Sequence, residues 1–193
     1  MKSLILASGS PSRKEILEET NYPFVVDASN YEEDMGLNMA PEDLAVFLSK
    51  GKANDVAKRH NNSVILAADS FGVFEDHLLG KPRTLKRARE MLMLLSGKCH
   101  SFITGFTILD SDSGKNYHEA VETKVYFKKL TPKEIDDYLS NEDVLNKAGA
   151  YTIQGLGKNF IEKIDGDYNN VCGLPLDNVI LAIADFGINI KIK

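Results

Sequence analysis

The chain has no tryptophan, two cysteines and six prolines in 193 residues. Cys99 and Cys172 stand far apart, in no metal or redox spacing, so neither a disulfide scaffold nor a thiolate zinc site is expected. Both read as buried small hydrophobes. No apolar run approaches membrane-spanning length, and Leu4–Ala7 is too short for a signal-peptide core. There is no Gly-x-x-x-x-Gly-Lys-Ser/Thr loop, which excludes a P-loop ATPase, and no His-Glu-x-x-His zinc motif. His60, His77, His100 and His118 are scattered and suggest no catalytic triad. Positive charge is also in the minority, with 23 Lys and Arg against 28 Asp and Glu, net −5. That balance argues against a nonspecific nucleic-acid binder. A cytoplasmic protein with neither nucleic-acid nor membrane partners is expected.

What is present is globular: 43% hydrophobic and 26% charged residues, without repeat, linker or low-complexity tract. A single domain over 1–193 is expected. Leu4–Ala7 reads as a buried strand, Ser12–Glu19 as a short helix and Phe24–Val26 as a second strand. Asn30–Met39 is acidic and irregular. Pro41–Lys58 is the clearest helix, with Leu44, Phe47, Leu48, Val56 and Ala57 at helical spacing. Val64–Ala68 is an apolar strand that ends at Asp69. Glu75-Asp76-His77 sits between short apolar runs like a hairpin turn. Thr84–Ser96 is a helix closed by Gly97. Phe102–Leu109 and Glu119–Phe127 form a pair of long strands joined across Asp110–Lys115, the second alternating as if one face were wet. Thr131-Pro132-Lys133-Glu134 is a capping box opening a helix. Phe160–Ile164 is a strand before the Asp165-Gly166 turn, and Pro175–Phe186 is the last helix. The fold class is therefore α/β with a mixed sheet, because the short connection between two adjacent strands argues against a purely parallel one.

Several segments carry chemistry. Ser8-Gly9-Ser10-Pro11-Ser12-Arg13-Lys14 leads from a strand into a helix. Ser10 suits the cap, Pro11 the first helical position, and the free N–H groups with Arg13 suit an anion. The same residues also make an ordinary capped helix. Asp69 at a strand end can hold a metal or take a proton from water, or can simply close a turn. Glu32-Glu33-Asp34 is either a solvated acidic run or a source of one or two magnesium ligands. In Lys50-Gly51-Lys52 the glycine costs a helix about 1 kcal/mol relative to alanine, which hints at close packing or a ligand. Gly80-Lys81-Pro82 offers Lys81 as a point charge, or a plain surface turn. Gln154 carries an amide that can both donate and accept, as needed to read a nucleobase edge, or is an ordinary surface glutamine.

Taken together these words resemble the Maf family of nucleoside triphosphate pyrophosphatases. Ala7-Ser8, Ser10-Pro11 and Arg13 match its Ala-Ser-x-Ser-Pro-Arg-Arg opening, with Ser12 in place of the first arginine. Ala67-Ala68-Asp69-Ser70 matches Gly-Ala-Asp-Thr, and Lys147-Ala148-Gly149-Ala150-Tyr151-Thr152-Ile153-Gln154-Gly155 matches Lys-Ala-Gly-x-Tyr-x-Ile-Gln-Gly. Asp165-Gly166-Asp167-Tyr168 and Gly173-Leu174-Pro175-Leu176 match its closing segment. The resemblance implies an elongated mixed sheet flanked by helices, in two lobes with a cleft, like inosine triphosphate pyrophosphatases. It implies hydrolysis of a nucleoside triphosphate to monophosphate and pyrophosphate, with Asp69, Lys52 and Lys81 catalytic. Glu33 and Asp69 would hold magnesium or manganese, with Glu32 a substitute for Glu33. Ser8, Ser10, Ser12, Arg13, Ser70 and Gln154 would bind substrate, and the protein would be a homodimer. Gln154 favours a dTTP/UTP-type pyrimidine substrate; a 7-methyl-GTP-type or broad-range enzyme, or a non-catalytic nucleotide-binding regulator of cell division, are the alternatives.

Overall fold

The structure is a computed structural model describing residues 2–75 and 77–190. Asp76, in the expected hairpin turn, lies outside the described residues. Seven strands form one mixed sheet: β1 (Ser3–Leu6), β2 (Phe24–Val26), β3 (Ser63–Phe74), β4 (His77–Leu79), β5 (Cys99–Asp110), β6 (Asn116–Phe127) and β7 (Ile161–Asp165). The order is β2-β1-β3-β5-β6-β7, with β4 beside β3. The helices are α1 (Pro11–Glu18), α2 (Pro41–Ala57), α3 (Leu85–Leu95), α4 (Pro132–Asn141), α5 (Tyr168–Val171) and α6 (Leu176–Ile183). The mixed sheet follows the sequence expectation: β1 pairs in parallel with β2 and β3, while β3–β4 and β6–β7 are antiparallel.

The chain divides into two compact units. The first holds residues 1–70, 104–121 and 172–193. Strand alternation sorts its core into two sets. Leu4, Leu6, Val64, Leu66 and Ala68 pack with Ile16 and Leu17 of α1 and Val179 and Ile183 of α6. The intervening Ile5, Ala7, Ile65 and Ala67 pack with Ala53 and Val56 of α2. Each fully buried leucine or isoleucine here contributes roughly 1.5–3 kcal/mol relative to exposure. Continuing the alternation past Ala68 puts Asp69 on the α2 side and Ser70 on the α1 side.

Two expectations are corrected here. The strand expected over Val64–Ala68 runs on to Phe74, so Asp69 is not at its end. Polar residues interrupt the apolar run, but pairing with β5 and β4 carries the ladder through them. The parallel pairing does stop there: its last register is Leu6 with Leu66, closed by Ala7 N–H to the Leu66 carbonyl at 2.8 Å. Asp69 thus lies just beyond the carboxyl end of the parallel portion, where α/β sheets place ligands. Phe47 is 41% exposed rather than part of the core; α2 buries Leu44, Leu48, Ser49, Lys52, Ala53 and Val56.

The second unit holds residues 71–103 and 122–171. Its core is aromatic: Phe127 packs edge-on against His100, Tyr151 and Phe160, with ring centroids 4.7–6.0 Å apart. Thr131 and Glu134 form the expected capping box of α4. The two cysteines are free as expected, though half-buried rather than fully buried.

Candidate functional site

α2 carries Lys52 on its buried side, 9% exposed, one residue after the weak-helix Gly51. Its ammonium donates to Asp69 Oδ1 and lies 2.8 Å from Glu33 Oε1. The helical lysine is therefore not a solubilising side chain; it joins two carboxylates from distant parts of the sequence. Burial pushes the Asp69 carboxyl above the usual range, and the charge and hydrogen bond of Lys52 pull it back, with smaller effects from Arg13 and Glu33. A buried carboxylate of this kind is a better proton acceptor than a solvated one, and the Lys52 ammonium favours its ionised form. Glu32 is exposed, and Glu33 is the member of the acidic run that meets Lys52.

On the other side of β3 a second network forms. Ser10 caps α1, accepting the Arg13 backbone N–H at 3.5 Å, while Ser8 Oγ accepts the Ser10 N–H at 3.2 Å. The Arg13 fork donates Nε to the Gly173 carbonyl at 2.8 Å, Nη1 to Ser8 Oγ at 3.2 Å and Nη2 to Ser70 Oγ at 2.9 Å. Ser70 also receives the Thr104 hydroxyl at 2.9 Å. Burial lowers the Arg13 pKa, and the nearby charges of Asp69 and Glu33 raise it. The guanidinium therefore organises the protein first. Each Nη keeps a second N–H that can meet a ligand oxygen. Ser12, second residue of α1, is half-buried.

Sequence reasoning passed over Gly173 and Thr104. Gly173 has φ +106°, and a Cβ there would stand 3.4 Å from Arg13 Nε. Glycine is what allows its carbonyl to face the guanidinium. The signal was present in the quoted Gly-Leu-Pro-Leu word; Thr104, inside an apolar strand, gave none.

Lys81 and Gln154 belong to the second unit. Lys81 follows β4 and lines a cavity of about 350 Å³ with Phe74, Leu79, Arg87 and Met91. The Gly80 carbonyl accepts the Gly149 N–H at 3.2 Å, which ties the Gly-Lys-Pro turn to the Lys-Ala-Gly-Ala-Tyr segment. Gln154 is exposed, and its backbone carbonyl accepts the Thr152 hydroxyl at 2.8 Å. Among the described residues no group of three or more His, Cys, Asp or Glu side chains could cage a metal. No helix among them is long and apolar enough to cross a membrane.

Fold and site thus define an α/β protein whose buried ammonium–carboxylate cluster lies just past the carboxyl ends of parallel strands. The chain belongs to the Maf-like protein family, whose model matches residues 3–186. A dTTP/UTP pyrophosphatase of Bacillus cytotoxicus is 42% identical over 186 residues, 96% of each chain. One from Bacillus cereus is 42% identical over 190 residues, covering 98% of this chain and 93% of its own. Among solved structures, a HAM1 protein from Coxiella burnetii is 16% identical with a TM-score of 0.39, covering 70% of this chain and 90% of that one.

Proposed function

We propose that the chain is a nucleoside triphosphate pyrophosphatase directed at pyrimidine nucleotides, as its dTTP/UTP pyrophosphatase relatives are named. Water attacks the α-phosphorus, the bond to the α,β-bridging oxygen breaks, and monophosphate and pyrophosphate leave. The observation that carries the reading in this chain is the Lys52 ammonium held between Asp69 and Glu33. A triphosphate needs cations at its oxygens and a base for the water, and this cluster supplies both kinds of group.

Asp69, with its carboxyl raised by burial, accepts the proton of the attacking water. Lys52 neutralises phosphate charge. Arg13, the Ser8 and Ser70 hydroxyls it orients, and the amino end of α1 contribute donors for phosphate oxygens. Lys81 adds a further cation, and Gln154 reads the base edge. The donor set also fits a divalent metal: Glu33 and Asp69 are hard oxygen ligands, and magnesium commonly takes one or two carboxylates, completing its shell with water and phosphate oxygens. Bound magnesium or manganese would screen the phosphates and lower the pKa of a bound water. A homodimer belongs to the same reading and is checked by light scattering.

The deciding experiment incubates the protein with magnesium or manganese and dTTP, UTP, CTP, GTP or 7-methyl-GTP, measuring monophosphate, pyrophosphate and free phosphate separately. Monophosphate with pyrophosphate from dTTP and UTP is the expected result. Free phosphate alone would make the protein an ordinary phosphatase. Nucleotide binding without turnover would make it a regulator.

A further inference from the structure

Segment 27–33 contains no helix or strand, yet it is fastened at several points along α2 and the turn that follows it. Asp27 accepts Arg59 Nε and Nη2 on its two oxygens at 2.7 and 2.9 Å, with His60 Nε2 2.6 Å from Oδ2. Arg59 Nη2 also donates to the Ala28 carbonyl at 2.8 Å. One turn earlier in α2, Asp55 Oδ2 accepts the Ser29 hydroxyl at 3.0 Å and the Asn30 N–H at 2.8 Å, and Arg59 Nη1 braces it at 3.2 Å. Ser29 Oγ in turn accepts the Tyr31 N–H at 3.0 Å.

One more turn back, the Tyr31 ring lies on Gly51. A Cβ at Gly51 would fall 2.6 Å from Tyr31 Cε2 and nearer still to Cζ. The next helix residue is Lys52, whose ammonium meets Glu33 at 2.8 Å. Gly51, Asp55 and Arg59 are spaced by four and so share one side of the helical path. Glycine weakens a helix interior; here its missing side chain is the space the tyrosine ring fills. No exposed ion pair in this series holds the segment alone, but four contacts in register leave it one way to lie.

We propose that Gly51, Asp55 and Arg59 are positioning residues: a rail along α2 and the turn that closes it, which seats segment 27–33 in a single register and thereby sets Glu33 beside Lys52 and Asp69. The role given to Glu33 rests on the pyrophosphatase reading; the seating rests on the geometry alone.

The test places Gly51→Ala, Asp55→Ala and Tyr31→Phe in the native and in a Glu33→Gln background. UTP hydrolysis with manganese gives kcat and KM, and NMR amide exchange reads the Asn30 and Tyr31 N–H groups. Gly51→Ala and Asp55→Ala lower kcat about tenfold when Glu33 is present and less than twofold when it is Gln, the size seen when outer partners of a metal ligand are removed. KM for UTP stays within twofold. Both variants speed exchange at Asn30 and Tyr31, while Tyr31→Phe keeps the ring and behaves like the parent. A purely structural role would lower kcat equally in both backgrounds, and that result overturns the proposal. So does unchanged amide exchange in Gly51→Ala and Asp55→Ala. If the parent chain does not hydrolyse UTP, the pyrophosphatase reading falls, and amide exchange still decides whether the rail seats the segment.

Discussion

Replacing Lys52 by methionine keeps the aliphatic stem and removes the ammonium that Asp69 and Glu33 share. The two carboxylates do not suffer alike. The Glu33 side chain is 44% exposed and turns to water, whereas that of Asp69 is 8% exposed and cannot. Breaking a buried pair by removing one partner costs about 3–5 kcal/mol, because the remaining charge is left without compensation. The partial exposure of the cluster places Lys52→Met near the lower end, about 3 kcal/mol. In a domain of this size that is a fall of about 10 °C in Tm.

The pH dependence gives the sharper check. Asp69 already has a raised carboxyl pKa, and loss of Lys52 raises it further, since Lys52 supplies both the leading charge and the hydrogen bond that lower it. A raised carboxyl binds its proton more tightly folded than unfolded, so stability falls as pH rises through the folded pKa and recovers as pH drops through it. Urea unfolding between pH 5 and pH 8 should therefore show the defect of Lys52→Met growing with pH. The double variant Lys52→Met/Asp69→Asn leaves no unpaired charge at either position and should recover most of the loss. A pH-independent defect, or a double variant as unstable as Lys52→Met alone, refutes the reasoning.

Asp69→Asn alone keeps an oxygen for Lys52 and should fold normally, yet lose at least a hundredfold in kcat for UTP in a steady-state assay. Burial holds the His100 imidazole down at about 4, so the native protein should lose stability as pH falls from about 6.5 to about 4, by up to ~1.4 kcal/mol per pH unit. His100→Gln should remove that part of the slope in parallel urea titrations. Gly173→Ala forces an L side chain to φ +106° beside Arg13 Nε, and should cost about 2 kcal/mol by thermal unfolding while raising KM for UTP. Gln154→Ala should weaken UTP binding about tenfold, the worth of one lost hydrogen bond of about 1.4 kcal/mol, with kcat within twofold.

How far these groups could be foreseen depends on whether their partners are local. The cap at Ser10 and the box at Thr131 and Glu134 were legible because each completes its own bonds within four residues. The strand through Asp69 was legible only to Ala68. Its continuation depends on β4 and β5, and hydrophobic periodicity contains no record of a neighbour's length. Arg13 reads in the sequence as a residue suited to an anion, but its bonds to Ser70 and the Gly173 carbonyl join residues 57 and 160 positions away.

Lys52 shows the same limit most clearly. Its spacing from Leu44, Leu48 and Val56 puts it on the buried stripe of α2, yet as a lysine beside Lys50 it reads along the sequence as one more solubilising charge. What places a cation on that buried stripe is a requirement set elsewhere: β3 buries Asp69 among apolar neighbours, and a buried carboxylate without a partner is too costly to keep ionised. Gly51 follows from the same demand, since a side chain there would displace Tyr31 and with it the approach of Glu33. A glycine and a lysine that weaken the case for a simple surface helix are thus consistent as a pair. The places where α2 departs from good helix chemistry are the places where it serves the carboxylate of another element.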